Sequence, residues 1–239
     1  MKITILEADH VAEDLANTFG DYPVMFKRLL SEVDPSLEFE TYSVIEGDFP
    51  RDLSESDGYL ITGSKFGAYD KALWIEQLGE LILNLHEQKR PLVGICFGHQ
   101  LIAQVLSGRT EKAPQGWGVG LSTSRLLKIP DWMRTIPEDQ SFSLLVSHQD
   151  QVVELPKGAD LLAGNEFCPY GMYQIDHSIL TFQGHPEFEN DYCLALMNKR
   201  REILGEAVFE KGVTSLQNPH QGNMIAKWIV EFVAAANMQ

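Results

Sequence analysis

One seven-residue stretch constrains the fold of this chain more than any other: residues 94–100, with the sequence GICFGHQ. Residues 91–95 form a short apolar run that is typical of a buried strand. The apolar residues within 101–106 then recur at helical spacing, and Gly108 supplies a stop signal. The stretch therefore predicts a strand that turns directly into a helix, with Cys96 at the corner.

The two glycines around Cys96 explain how so tight a turn is possible. Gly94 and Gly98 lack the side chains that would clash there, as in the serine motif G-x-S-x-G. At the start of a helix, unpaired backbone N–H groups and the positive end of the helix dipole favour a thiolate over a thiol. A cysteine in an apolar stretch is more often a buried packing residue. The glycine bracket favours the other interpretation, in which Cys96 is a nucleophile.

The composition limits the domain organisation, the binding partners and the cellular compartment that we expect for this protein. The chain has 239 residues, of which 44% are apolar, and we expect a single α/β domain over 1–239. A formal charge of −15 repels phosphate backbones and anionic lipids, so we expect no binding to nucleic acid or membranes. Three cysteines are too few for a disulfide framework, and we find neither a signal peptide nor a membrane-span pattern. We therefore expect a cytoplasmic protein.

Strands and helices alternate through the first hundred residues. Residues 11–20 lack a clean apolar stripe, and we expect a loop there. Strands that alternate with helices are typical of a parallel sheet. The hydrophobic patterns predict strands over 2–8, 37–44, 58–62 and 91–95, and helices over 22–33 and 73–88.

Beyond residue 108 the pattern changes to short extended segments separated by turns. Two helices follow these segments, over 192–204 and 222–236. The sequence therefore predicts an α/β fold with a mixed sheet and helices covering both faces. The extended segments cover residues 119–127, 143–147, 152–155, 161–165, 172–175 and 179–183.

A cysteine nucleophile needs a base, and of the seven histidines only His185 lies in a segment that explains its presence. Pro186 biases His185 towards extended backbone, where residues i and i+2 project to the same side. The carboxylate of Glu187 then orients the imidazole, as the acid does in other cysteine and serine triads. A strand at 179–183 leads into this loop, so both segments are expected at one edge of the sheet. We predict a catalytic triad of Cys96, His185 and Glu187.

Several other polar motifs are open to two interpretations. The segment 63–67 is either a flexible connection or part of the site, and it lacks a nucleotide-binding fingerprint. Residues 147–150, SHQD, form a turn after a strand, or else a metal site or second triad. His99 helps to frame the pocket or packs at the start of the helix. Cys168 and Cys193 are expected to be packing residues, because no base lies near them in sequence. The paired spacing that zinc requires is missing, so we expect no metal site.

Together, residues 94–100 and the segment His185-Pro186-Glu187 resemble the class I, or triad, glutamine amidotransferases. The resemblance runs from about residue 59 to residue 187. It implies a flavodoxin-like α/β fold with a mixed, mostly parallel sheet. It also implies that Cys96 attacks the side-chain amide of glutamine, forms a γ-glutamyl thioester and releases ammonia. His185 is then the base and acid, Glu187 is the orienting carboxylate, and no cofactor is expected.

The resemblance extends to the residues that hold the substrate. The loop 61–67 is similar to the family's oxyanion strand end, where a Gly-Gly-Pro run is usual. Here Ser64 and Lys65 replace the second glycine and the proline. Any residue except proline donates a backbone N–H, so Ser64 and Phe97 are expected to form the oxyanion hole. The side chains or backbones expected to contact glutamine are those of Gly63, Gln100, Ser147 and His148.

No synthase pattern accompanies these motifs, so a glutaminase module is the first functional expectation. It acts on glutamine, with or without an ammonia-consuming synthase subunit as partner. The layout is also similar to plant γ-glutamyl peptidases, which hydrolyse the same bond type in glutathione-like substrates. A third alternative is a non-catalytic binding or regulatory module that keeps the pocket. For the peptidase alternative, Lys65 either meets a substrate carboxylate or is a solvated loop lysine.

Overall fold

The computed structural model describes residues 1–238 and is built around one mixed β-sheet. Its strands are β1 (Lys2–Glu7), β2 (Glu38–Ser43), β3 (Gly58–Ile61), β4 (Leu92–Ile95), β5 (Arg109–Lys112), β6 (Gly118–Leu126), β7 (Ser141–His148), β8 (Asp150–Glu154), β9 (Ala159–Gly164), β10 (Met172–Ile175) and β11 (Ile179–Phe182). The nine-stranded sheet has the order β2-β1-β3-β4-β11-β10-β9-β6-β7. The strands β5 and β8 pair separately.

Helices connect and cover these strands. They are α1 (Glu13–Phe19), α2 (Tyr22–Val33), α3 (Leu73–Glu87), α4 (Phe97–Val105), α5 (Asn190–Lys199), α6 (Arg201–Leu204), α7 (Glu206–Ser215) and α8 (Gly222–Ala236). A short 3-10 turn, Val44–Glu46, follows β2. Within residues 1–238, none of the helices combines the length and the apolar content that crossing a bilayer requires.

Five neighbouring strands, β2, β1, β3, β4 and β11, run parallel. Parallel strands end at the same edge of a sheet, so the loops that follow them meet there. The last residue of β4, Ile95, pairs with the last residue of β11, Phe182. Cys96 directly follows Ile95, and His185 comes three residues after Phe182. The sheet therefore brings these two chain segments side by side.

Alternation along the parallel strands fills both faces of the sheet. In β1, Ile3 and Ile5 pack with residues of α2 and α8, whereas Leu6 packs with residues of α3 and α4. All three side chains are buried, and burial of each contributes about 1.5–3 kcal/mol. The predicted α/β fold, with a mixed sheet and helices on both faces, is confirmed.

The antiparallel part of the sheet lies close to the edge where β4 and β11 end. Strands β6 and β7 pair from Gly118↔His148 to Arg125↔Ser141. An isolated bridge joins Leu145 of β7 to His185. Leu145 also belongs to a third core cluster with residues of α5 and α7. Strand β7 and helix α5 therefore lie beside the loop that follows β11.

Residues 13–19 form helix α1, so the loop expected over 11–20 is wrong. The first turn carries Glu13 and Asp14, which suit a helix N-terminus. None of the helix residues is fully buried, which explains the missing apolar stripe. Phe19 packs edge-on against Tyr192, with ring centroids 5.4 Å apart. This tertiary contact stabilises a helix that the hydrophobic pattern does not indicate.

The helix predicted over 192–204 is two helices, and α7 follows them. Helix α5 ends at Lys199, and Arg200, with φ −100° and ψ 6°, separates it from α6. Gly205, with φ 73°, ends α6 and precedes α7. The sequence does not predict α7, because only Phe209 and Gly212 of its residues are buried. The hydrophobic pattern also misses the short strand β5.

Candidate active site

Cys96 occupies the corner between β4 and α4 in a strained backbone conformation. Its φ of 50° and ψ of −97° are rare for any residue with a side chain. Two backbone hydrogen bonds hold it there, since Cys96 N–H donates to Phe182 O at 2.8 Å and Cys96 O accepts from Gln100 N–H at 3.0 Å. The side chain is 5% exposed. The corner thus presents one thiol at the start of a helix.

The glycines on either side of Cys96 are required by close contacts. A Cβ on Gly94 would lie 2.7 Å from the carbonyl carbon of Gly98. A Cβ on Gly98 would lie 2.8 Å from the backbone oxygen of Ile61, at the end of β3. Real Cβ atoms do not approach so closely, so a side chain at either position would push α4 away from the sheet. The sequence predicts this crowding correctly.

His185 and Glu187 lie together beneath the corner. The Nδ1 atom of His185 is 2.8 Å from Oε1 of Glu187, and both side chains are almost wholly buried. The Phe188 ring stacks on the imidazole, with centroids 3.9 Å apart and planes 9° apart. The backbone N–H of His185 donates to Leu145 O at 2.8 Å. These contacts hold the imidazole in one orientation, in which Nδ1 is the ring nitrogen that meets the carboxylate.

Electrostatics at this pair favour a protonated imidazole. Burial alone lowers the pKa of His185, but the Glu187 charge, the Cys96 charge and hydrogen bonds to both residues together raise that pKa to about 10. At neutral pH the imidazole therefore holds a proton that it can deliver to a leaving nitrogen.

Gln183 is a further side chain that touches the nucleophile. Its Nε2 lies 3.6 Å from Sγ of Cys96, and its Oε1 accepts from Nε2 of Gln100 at 3.1 Å. Gln183 lies two residues before His185 and is buried. Its amide therefore orients the sulfur, a role that the sequence analysis does not assign.

The two residues predicted to form the oxyanion hole lie on different elements: Ser64 on the loop after β3, and Phe97 at the start of α4. Among the backbone hydrogen bonds of residues 1–238, the N–H groups of Ser64 and Phe97 have no acceptor. A Cβ on Gly63 would lie only 2.8 Å from Cε1 of His185, so this loop runs directly against the imidazole. Phe97 adjoins Cys96 in the chain, and Ser64 lines the same cavity as Cys96, so the oxyanion hole stays a prediction for these two N–H groups.

Asp9 holds the oxyanion loop in place. Its buried carboxylate accepts from the Lys65 N–H at 2.9 Å and from Lys65 Nζ at 2.9 Å. The same carboxylate accepts from the His10 N–H at 3.0 Å. Lys65, a candidate for contact with a substrate carboxylate, thus already has a carboxylate partner inside the protein.

An open cavity of about 300 Å³ begins at Cys96. Four of the predicted substrate-site residues form part of its wall: Ser64, Gln100, Ser147 and His148. The predicted residues Gly63, Phe97, His185 and Glu187 are buried. A cavity of this size accepts a small ligand, at the lower end of the range for such pockets.

Three residues of the wall are occupied by protein contacts. Gln100 donates from Nε2 to Asp150 O at 2.8 Å and to Gln183, so its carbonyl oxygen alone can meet a substrate. Ser147 Oγ accepts from Nη1 of Arg200 at 2.7 Å. The Nδ1 atom of His148 is 3.1 Å from Asp150 O. Burial lowers the pKa of His148 to about 4, so this imidazole is neutral at pH 7.

His99, Cys168 and Cys193 behave as packing groups. His99 is fully buried with Nδ1 2.8 Å from Oγ1 of Thr181, and burial lowers its pKa to about 3. Burial raises the pKa of both Cys168 and Cys193 to about 12, so these thiols stay protonated at neutral pH. None of these three residues combines a reactive thiol with a neighbouring base, as we expect of Cys96.

One group of possible metal ligands lies outside the cavity. Glu7, His10 and Asp21 each offer a ligand atom, all within 4.8 Å of one another. Asp21 Oδ1 already accepts from the N–H groups of Val11 and Tyr22. The Nδ1 atom of His10 lies 3.2 Å from Asp21 and 3.4 Å from Glu7. These internal contacts account for the cluster, and we assign no metal to it.

Fold and site together define the class of protein. A strained cysteine follows one parallel strand, a buried histidine and glutamate follow its neighbour, and the cysteine lines an open cavity. The chain belongs to the class-I glutamine amidotransferase family, whose sequence profile matches residues 30–192.

Within this family the chain is similar to proteins with two kinds of name. Gamma-glutamyl peptidase 3 of Arabidopsis thaliana is 32% identical over 194 residues, which are 79% of this chain and 77% of the relative. A glutamine amidotransferase-like protein of Schizosaccharomyces pombe is 30% identical over 246 residues, 97% of this chain and 98% of the relative. The fold matches a glutamine amidotransferase from Thermotoga maritima, with a TM-score of 0.72 at 17% identity, over 97% of this chain and 96% of that one.

Proposed function

We propose that this protein hydrolyses γ-glutamyl amide bonds through a thioester on Cys96. The observation that carries the proposal is the buried His185–Glu187 pair, 2.8 Å apart, which follows the end of β11 beside the end of β4 that leads into Cys96. The N–H groups of Ser64 and Phe97 stabilise the oxyanion. Each such donor contributes roughly 10²–10³ in kcat in related sites.

The first half-reaction forms the thioester. Sγ of Cys96 attacks the γ-carbonyl carbon, and the carbonyl oxygen becomes an oxyanion. The C–N bond then breaks as His185 gives its proton to the leaving nitrogen. An amine or ammonia departs, and a γ-glutamyl group stays bonded to sulfur.

The second half-reaction consumes one water. Neutral His185 takes a proton from the water, whose oxygen attacks the thioester carbonyl carbon. The C–S bond breaks, glutamate leaves and the Cys96 thiolate is restored beside a protonated His185. Glu187 stabilises the imidazolium in both halves through its charge.

We propose γ-glutamyl peptides as the substrates that suit the site best. Trp117 and Arg200 line the same cavity as Cys96, and its volume of about 300 Å³ lies within the range of small-ligand pockets, which supports a leaving group larger than ammonia. Similarity to a relative named gamma-glutamyl peptidase supports this choice. Glutamine, the first expectation from the sequence, is the smallest substrate of the same bond type. The second candidate function is the hydrolysis of glutamine to supply ammonia to a synthase subunit.

Glutamate release separates these candidates. The pure protein is incubated with a γ-glutamyl tripeptide and, separately, with glutamine, and free glutamate is measured. We expect faster release from the peptide and none from either substrate in Cys96→Ala, while Cys193→Ala retains activity. Faster release from glutamine would favour the synthase-linked glutaminase. Release that persists in Cys96→Ala would refute the thioester, and no release at all would favour a non-catalytic binding module.

A further inference from the structure

We infer that the Thr62 hydroxyl is a positioning group that directs the Ser64 N–H towards the oxyanion, an inference that rests on the proposed hydrolysis. Thr62 follows β3 directly and is fully buried. Its Oγ1 accepts from the Ala8 N–H at 2.9 Å and donates to the Gly63 carbonyl oxygen at 3.1 Å. One hydroxyl therefore links the residue that follows β1 to the peptide group that carries the Ser64 N–H.

The Gly63 carbonyl and the Ser64 N–H belong to the same peptide group. In a planar trans peptide group the C=O and the N–H point in opposite directions. No peptide bond of residues 1–238 is cis. Because the Gly63 carbonyl is held on the Thr62 hydroxyl, the Ser64 N–H has a fixed direction, away from that hydroxyl. Thr62 thus sets the orientation of a donor although its own side chain is fully buried.

The order of the sheet indicates the side to which this N–H points. Strand β3 lies between β1 and β4. The Gly63 carbonyl points to a hydroxyl that is bonded to the chain after β1, so the Ser64 N–H points towards the side of β4, which Cys96 follows. Ser64 and Cys96 line the same cavity. A Cβ on Gly63 would lie 2.8 Å from Cε1 of His185, so this peptide group is next to the imidazole.

A second anchor holds the peptide group on the other side of Ser64. The Asp9 carboxylate accepts from the Lys65 N–H and from Lys65 Nζ, both at 2.9 Å. A proline at 65, which is usual in the family, has no N–H and could not form the first of these bonds. Both peptide groups of Ser64 are therefore fixed by residues that follow β1. Donors that are held before the reaction need no reorganisation when the oxyanion forms.

The test removes the hydroxyl and follows kcat and KM separately, with a γ-glutamyl tripeptide as substrate. Thr62→Val loses both hydrogen bonds of the hydroxyl, so the Gly63–Ser64 peptide group is free to turn. Loss of a whole oxyanion donor costs roughly 10²–10³ in kcat, and a misdirected donor costs less. We expect kcat to fall by roughly 10–100-fold with KM within about twofold of wild type, because the oxyanion exists only during the reaction. Thr62→Ser keeps the hydroxyl and should keep kcat within about threefold of wild type.

Thr41 supplies the matched control. Its hydroxyl is buried without a hydrogen-bond partner among residues 1–238, and β1 and β3 separate its strand, β2, from β4. Thr41→Val should leave kcat and KM unchanged. Alkylation of Cys96 by iodoacetamide is a second control, because the sulfur displaces iodide without forming an oxyanion. In Thr62→Val the rate of this alkylation should stay within about twofold of wild type, since the nucleophile itself is unchanged.

Three results would overturn the inference. The first is a kcat of Thr62→Val within about threefold of wild type. The second is an equal loss of kcat in Thr62→Ser, because the hydroxyl is then not the group that matters. The third is a matching loss in the alkylation rate of Cys96, because Thr62 then acts on the nucleophile or on the fold. If Thr62→Val does not fold, Thr62→Ala takes its place with the same expected results.

Failure of the proposed hydrolysis would look different, because wild type, Thr62→Ser and Thr41→Val would then all release no glutamate. A crystal structure of wild type alkylated on Cys96 by diazo-oxo-norleucine, the diazoketone analogue of glutamine, still tests the inference. It needs neither turnover nor a variant, and it leaves a ketone oxygen beside the cysteine. A Ser64 nitrogen about 3 Å from that oxygen, with the Gly63 carbonyl on Thr62 Oγ1, supports the inference. A Ser64 N–H that points elsewhere contradicts it.

Discussion

Replacing Glu187 with glutamine removes the charge that holds His185 and changes little else in shape. In the wild type, Oε1 of Glu187 accepts from Nδ1–H of His185 at 2.8 Å, and both residues are buried. An amide can present its NH₂ group to Nδ1 instead, which moves the imidazole proton to Nε2 and blocks the base. A comparable change in a serine triad costs on the order of 10⁴ in kcat.

We therefore expect Glu187→Gln to lose roughly 10²–10⁴ in kcat, about 3–5 kcal/mol of transition-state stabilisation. The pH profile should change as well. His185 acts as an acid in its protonated form, so activity falls as the pH rises through its pKa of about 10. An opposite charge at this distance raises a histidine pKa by about 1–3 units. The alkaline limb of kcat should therefore move down by that amount in Glu187→Gln.

Steady-state glutamate release from pH 6 to about pH 10.5 measures both effects, over the range set by the wild-type pKa. Glu189→Gln is the matched control, because the Glu189 side chain is 59% exposed and pairs with His220, at 3.4 Å. It should leave rate and profile unchanged. Near-normal kcat with an unmoved alkaline limb in Glu187→Gln would refute the assigned role. Asp150, which accepts from the Tyr69 hydroxyl at 2.8 Å, would then be the next candidate.

Two further changes test the loop against His185 and the charge cluster beyond it. Gly63→Ala places a Cβ 2.8 Å from Cε1 of His185, so kcat should fall by roughly 10–100-fold with an unchanged melting temperature; an unaltered kcat would contradict the packing. Burial and the nearby Asp21 charge raise the pKa of Glu7 from 4.5 to about 7. The resulting cost to stability is absent below pH 4.5 and complete above pH 7, so Glu7→Gln should stabilise the protein by about 1.5–3 kcal/mol at pH 8. Urea unfolding should show a much smaller gain at pH 5, and equal gains at both pH values would contradict this.

The parts of the site that the sequence predicts are local in the chain. Cys96 and its glycines lie within five residues, and His185 and Glu187 are two residues apart. Their backbone geometry follows from the glycines and from Pro186. Adjacent strand ends then bring the two segments together, because β4 and β11 are parallel neighbours.

The parts that the sequence does not predict depend on long-range contacts. Asp9 and Lys65 are 56 residues apart, and Ser147 and Arg200 are 53 residues apart. Nothing around Arg200 in the sequence distinguishes it from Arg201. Only the break between α5 and α6 places Arg200 in the cavity wall and leaves Arg201 exposed. Asp9 did offer a signal, because an acidic residue near the end of a buried parallel strand lies at the edge where such sheets place their sites.

Helix α7 is another element that the sequence does not predict, because its burial depends on a contact distant in sequence. Its buried positions are Phe209 and Gly212. A Cβ on Gly212 would lie 2.6 Å from Sδ of Met197, so a glycine takes the place of the apolar residue that a helical pattern requires. Because Gly212 packs closely against α5, the sequence of α7 does not show the apolar spacing of an amphipathic helix.

The most direct test is to identify the sulfur that carries the γ-glutamyl group. The protein is quenched in acid during turnover of a γ-glutamyl tripeptide, digested and mapped by mass spectrometry. We predict an adduct with the mass of a γ-glutamyl group on the peptide that contains Cys96, and unmodified Cys168 and Cys193, whose pKa of about 12 keeps them as thiols. An adduct on Cys168 or Cys193, or undiminished turnover in Cys96→Ala, would contradict a thioester mechanism at the strand-to-helix corner.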